Sequence, residues 1–135
     1  MGYDNYSREH EAVAPPSGAT LRLSADPAFR GDPALLNPEQ LVVLAAAACQ
    51  LLSFLAVAAR ARIDVVAYED EAEGEMPEAE RPTRLTRIVL HPRITVRAGV
   101  ADERIRHLVE VAHRECYIAN SLRTEVVVKP VIQRA

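Results

Sequence analysis

The sequence predicts an α+β fold with elements in the order ββαββαβ. Three observations carry that reading. A long uncharged apolar run follows a strong helix-start signal. A second segment repeats apolar residues at three- and four-residue spacing. Short β-branched segments, bounded by Pro and Gly, fill the rest. The chain has 135 residues, enough for one domain over 1–135 built around one core. About half the residues, 49%, are hydrophobic, which excludes a disordered chain. Only 4% are aromatic, so Ala, Val, Leu and Ile must build the core. A net charge of −3, with arginines dispersed along the chain, argues against nucleic-acid binding.

Tyr3–Val13 and Ala19–Leu23 flank Ala14-Pro15-Pro16-Ser17-Gly18, a turn-forming stretch that suggests a hairpin. A loop rich in turn formers follows over Asp26–Pro33. The first helix is announced by Asn37 as N-cap, Pro38 at the first helical position and Gln40 completing a capping box. From Leu41 to Ala59 no charged residue occurs. The run reaches the lower limit for a membrane span, but its many alanines, with Cys49, Gln50 and Ser53, favour a buried central helix and no membrane association. A helix apolar on all sides must be covered on all sides. A domain this small can hardly do so alone, so a partner subunit is expected on one face.

Ile63–Ala72 reads as a strand, and the acidic Glu71–Pro82 as a solvated hairpin loop. A second strand is expected over Leu85–Val96, with Pro92 marking a bulge or an edge. The second helix spans Asp102 to Tyr117, with Ile105, Leu108, Val109, Ala112 and Cys116 on one face. Thr124–Ile132 forms the last strand. The N-terminal MGYDNYSREHE is polar and lacks an apolar signal region, so a cytoplasmic location is expected. In that reducing compartment the two cysteines, Cys49 and Cys116, are either two unrelated buried thiols or a redox pair. His113 and Cys116 form an H-x-x-C pair with no second ligand pair nearby, so neither a metal nor another cofactor is expected.

Asn37-Pro38-Glu39-Gln40-Leu41, followed by Ala47-Ala48-Cys49, resembles the first signature of the OsmC/Ohr family. Ala112-His113-Arg114-Glu115-Cys116-Tyr117-Ile118-Ala119-Asn120-Ser121-Leu122 resembles the second. The likeness runs from about Asp26 to the C-terminus. It implies an OsmC-like fold, an entwined homodimer with interface sites, and thiol-dependent reduction of organic hydroperoxides. Cys49 falls at the position of the attacking cysteine and Cys116 at that of the resolving one, which implies a Cys49–Cys116 disulfide. Glu39 matches the motif glutamate. Arg30 matches the spacing of an arginine in the OsmC branch; on the Ohr pattern Arg8 or Arg22 takes that place. The family also implies an external dithiol reductant, often a lipoyl group. Gln50 and Tyr117 stand where Phe and Pro are common, and would alter the pocket lining.

The chemistry needs these residue types. The thiolate attacks the O–O bond, and burial opposes ionisation. Cys49 sits mid-helix, far from the helix N-terminus, so a nearby guanidinium is expected to activate it, held by Glu39 in a two-pronged pair. Glu39 and Cys49 are about 15 Å apart along a continuous helix at ~1.5 Å per residue. Either the helix breaks, or Arg30 bridges the gap, or Glu39 comes from the other subunit. A competing reading of a different class is a stress-associated or small-ligand-binding protein with little turnover.

Overall fold

The computed structural model describes residues 1–135 as two compact units, Met1–Val42 and Val43–Ala135. The first unit opens with the expected hairpin, shorter than its sequence limits. Strands β1 (His10–Val13) and β2 (Thr20–Leu23) pair antiparallel, His10 opposite Leu23. The Ser17 N–H closes the turn onto the Ala14 carbonyl at 3.1 Å. A 3-10 turn follows at Pro27–Phe29, capped by Asp26, whose Oδ1 accepts from the Ala28 N–H at 2.8 Å. Arg30 closes that turn in a left-handed conformation, φ 68°. Gly31 is needed beside it, because a Cβ there would overlap the Ala25 carbonyl oxygen at 1.7 Å.

Helix α1 spans Pro38–Arg60, beginning in the first unit and continuing into the second. Its capping box forms as expected. The Gln40 N–H donates to Asn37 Oδ1 and the Asn37 N–H to Gln40 Oε1, each at 2.9 Å. These two bonds satisfy donors that a helix start otherwise leaves without partners.

In the second unit, α1 packs against α2 (Asp102–Glu115). Phe54, Val57 and Ala58 meet Ile105, Val109 and Ala112, together with Ile63, Ile94 and Val96. Phe54 is fully buried, a contribution of about 1.5–3 kcal/mol by transfer. The polar residues of α1 are used here. Ser53 Oγ donates to the Ala112 carbonyl at 2.8 Å, and Gln50 Nε2 to that of Val109 at 3.3 Å. Gln50 is therefore a core residue facing α2 and not part of a pocket wall, contrary to the expectation from its motif position.

The strands depart from the expected order. Eight are present, giving ββαββββααββ. Strand β3 (Val65–Glu69) is followed by β4 (Glu73–Glu75), which lies inside the acidic stretch expected to be a loop. Its three residues are exposed, so main-chain pairing with β5 holds it and no alternation betrays it. The expected strand over Leu85–Val96 divides at His91-Pro92 into β5 (Arg87–Leu90) and β6 (Arg93–Val96). The last expected strand divides at Lys129-Pro130 into β7 (Glu125–Val128) and β8 (Val131–Arg134). β5 pairs parallel with β7, and β6 parallel with β8. β4 joins the first pair and β3 the second, both antiparallel. Proline has no N–H for the ladder, and Pro92 is buried rather than at a solvated edge. Bonds from Lys129 N–H to the Leu90 carbonyl (2.8 Å) and from Val131 N–H to that of Pro92 (2.9 Å) carry the pairing past the two prolines.

The second helix also ends earlier than expected. α2 stops at Glu115, Cys116 adopts an extended conformation (φ −68°, ψ 115°), and a short helix α3 (Tyr117–Ser121) restarts. Nothing in the apolar spacing marks this break, because Cys116 continues the face of Ile105, Val109 and Ala112.

Candidate active site

The break at Cys116 creates the site. Cys49, on α1, is partly exposed, and Cys116 is buried, 1% accessible. The two thiols lie within interaction range and shift each other's ionisation in opposite directions. Burial works against ionisation of Cys49, yet its pKa lies below the ordinary thiol value. The backbone N–H of Ile118, the Cys116 thiol and the backbone N–H of Tyr117 lie close enough to favour its thiolate. Cys116 is shifted the other way. Burial raises its pKa, and the neighbouring Cys49 adds to that, outweighing N–H donors from Ala119 and Ile118. The pair is thus split into a more acidic, accessible thiol and a less acidic, buried one.

These donors act on Cys49 independently of any guanidinium. The sulfur lies far from the N-terminus of its own helix, but α3 brings main-chain donors to it. Sequence reasoning missed them because they belong to a backbone conformation, not to side chains.

Cys49 opens into a pocket of about 560 Å³, with Leu52, Ser53 and Ala56 along α1 and Arg60 at its far end; Glu115, Tyr117 and Asn120 line the other side. Arg60 Nη2 pairs with Glu115 Oε2 at 3.3 Å across the mouth. The signal for Arg60 was present: Cys49, Leu52, Ser53, Ala56 and Arg60 share one helical stripe. Tyr117 does line this pocket, as its motif position suggested.

The arginines and glutamate picked out by motif spacing lie in the first unit. α1 is unbroken, so a break between Glu39 and Cys49 is not the solution. Arg30 and Glu39 do not pair with each other. Arg30 Nε instead lies 3.0 Å from Asp4 Oδ1, both side chains well exposed. Such a surface pair is worth about 1 kcal/mol or less and is readily exchanged. Arg22 pairs with Glu9. Arg8 stacks over the rings of Tyr6 (3.7 Å) and Tyr3 (4.7 Å) and donates to their carbonyls.

Fold and site together define an α+β protein with an asymmetric pair of cysteines at the head of a pocket. The sequence profile of OsmC-like proteins matches residues 31–131, and the chain belongs to that family. Its fold is that of an OsmC-like protein of unknown function from Vibrio cholerae, at 31% identity and a TM-score of 0.84, over 93% of this chain and 86% of that one. A candidate organic hydroperoxide resistance protein from the same organism, with captopril bound in one of its active sites, is 27% identical (TM-score 0.74, 93% and 85% covered). An organic hydroperoxide resistance protein from Elizabethkingia anophelis shares the fold at 22% identity (TM-score 0.75, 95% and 90% covered). No protein of curated function matches the chain. At the level of the family, the role is related to stress and hydroperoxides.

Proposed function

We propose that the protein reduces organic hydroperoxides with the Cys49 thiolate. The observation that carries this reading is the opposite displacement of the two thiols, with the more acidic one facing the pocket. Cys49 sulfur attacks the terminal peroxide oxygen and the O–O bond breaks. The alcohol leaves with a proton, and Cys49 becomes a sulfenic acid. Cys116 sulfur then attacks Cys49 sulfur, its proton departs with the hydroxyl as water, and a disulfide forms. An external dithiol of the lipoyl kind returns both thiols and is itself oxidised to a disulfide. The reading places the cycle in the cytoplasm, with no bound cofactor. The pocket floor of Leu52 and Ala56 favours an organic hydroperoxide over hydrogen peroxide, because an apolar arm gains contact there.

The test is to add cumene hydroperoxide to the reduced protein and count free thiols. Loss of two thiols per chain, with the disulfide mapped within one chain, is expected. Unchanged thiols would overturn the reading and favour a ligand-binding protein on the same scaffold.

The functional unit in this reading is a homodimer. Leu44, Ala48, Leu52, Leu55 and Ala59 form an exposed apolar stripe on α1, with Leu52 67% accessible. A helix with a mean hydropathy of 2.4 over an 18-residue window, of which 28% is buried in this chain, needs a further cover. Sedimentation at micromolar concentration should show a dimer; a stable folded monomer would refute it.

A further inference from the structure

The break at Cys116 is held by a residue outside the thiol pair. In a continuous helix the Tyr117 N–H would bond the His113 carbonyl, and the Ile118 N–H that of Arg114. Neither bond is made. Both N–H groups are left without a main-chain acceptor, on the side of α3 where they favour the Cys49 thiolate, and two helix carbonyls are left in need of donors. The Cys116 N–H takes the His113 carbonyl at 3.2 Å. The Arg114 carbonyl receives Asn120 Nδ2 at 2.9 Å, and the same nitrogen donates to the Cys116 carbonyl at 2.9 Å. The Asn120 N–H also reaches the Cys116 carbonyl, at 3.1 Å. One side-chain amide therefore joins the carbonyls on either side of the break.

We propose that Asn120 is a positioning residue that replaces the Ile118 N–H on the Arg114 carbonyl and so keeps the main-chain donors of α3 aimed at Cys49. The segment contains no residue that forbids a helix. Tyr117 and Ile118 both carry an N–H, and Cys116 continues the apolar face. Without the amide, the ordinary bond from Ile118 competes with water for that exposed carbonyl, and forming it withdraws a donor from the sulfur. Asn suits this position because its amide nitrogen carries two hydrogens, one for each carbonyl. Asp has the same shape and no hydrogen to give.

The inference rests on the proposed role of Cys49 as the reacting thiol, but its test does not require peroxidase activity. The rate of alkylation of Cys49 by iodoacetamide is followed against pH, with the modified peptide identified by mass spectrometry. In Asn120→Asp and Asn120→Ala the rate at pH 7 is expected to fall at least threefold. It should return to the parent value at high pH, where the thiol ionises without help. Asn120→Gln, which keeps both hydrogens, should recover part of the loss. A folded Asn120→Asp protein with the parent pH profile would overturn the proposal. If neither loss-of-donor variant folds, the parent protein decides. Its Asn120 side-chain amide protons should be protected from exchange, and the Tyr117 and Ile118 amide resonances should titrate with Cys49; free exchange with no titration overturns it. A shifted profile in a protein that consumes no hydroperoxide would leave this inference standing and remove the peroxidase reading instead.

Discussion

Cys49→Ser is expected to abolish hydroperoxide consumption altogether, while Cys116→Ser consumes one equivalent per chain and stops. The asymmetry follows from where the two sulfurs lie. Cys49 faces the pocket, and three donors favour its thiolate. A serine hydroxyl there is neither ionised nor nucleophilic enough to attack a peroxide at neutral pH. Cys116 is buried and kept protonated by its surroundings, so it takes no part in the first attack. Its absence leaves the Cys49 sulfenic acid uncaptured and exposed to a second peroxide, which drives it to the sulfinic acid. Hydroperoxide loss in single-turnover experiments, with mass analysis of the Cys49 peptide, checks both variants. A Cys49→Ser protein that retains the first equivalent would reverse the roles.

The second large effect is expected at Arg30. We propose that this guanidinium, with Glu39, contacts the peroxide in the reacting complex, exchanging its exposed partner Asp4 for the substrate. Arg30→Ala should lower kcat/KM more than about tenfold, or about 1.4 kcal/mol of barrier. The pH dependence separates two causes. Were Arg30 needed to ionise Cys49, its loss would raise the thiol pKa, and the deficit would shrink as pH rises through that value. The α3 N–H groups already lower the Cys49 pKa, so the deficit is expected to be the same on both sides of the thiol titration. That outcome is opposite in form to the one expected for Asn120, although both variants are slow at neutral pH. Arg30→Lys should restore little, because an ammonium cannot offer a fork to both Glu39 and the peroxide oxygens. Arg60→Ala is the comparison, since Arg60 lines the Cys49 pocket. A full-rate Arg30→Ala beside a slow Arg60→Ala would transfer the role to Arg60.

Much of this protein is determined locally, and that part could be read from the sequence alone. The start of α1 is set by Asn37, Pro38 and Gln40, whose bonds span three residues and need no tertiary partner. The buried face of α2 follows from the spacing of Ile105, Val109 and Ala112. The apolar excess on α1 is likewise a property of composition, as is the need for a cover. The two cysteines were identifiable through their motifs. What the sequence left open depends on which distant groups satisfy a backbone donor or acceptor. Strand β4 exists because β5 offers it hydrogen bonds, with no burial to pattern its side chains. Pro92 and Pro130 interrupt their strands at matching places because two parallel ladders run past them together. Gln50 reads as a pocket residue until the Val109 carbonyl, 59 positions away, is seen to hold its amide. The lowered pKa of Cys49 is the clearest case. Residues 115 to 121 carry a spacing compatible with unbroken helix, and only the packing of α1 against α2 brings a sulfur to the place where the freed N–H groups of Tyr117 and Ile118 can be used. The acidity of that thiol is decided by tertiary structure, because its donors are main-chain atoms, which every sequence has and only a fold can aim.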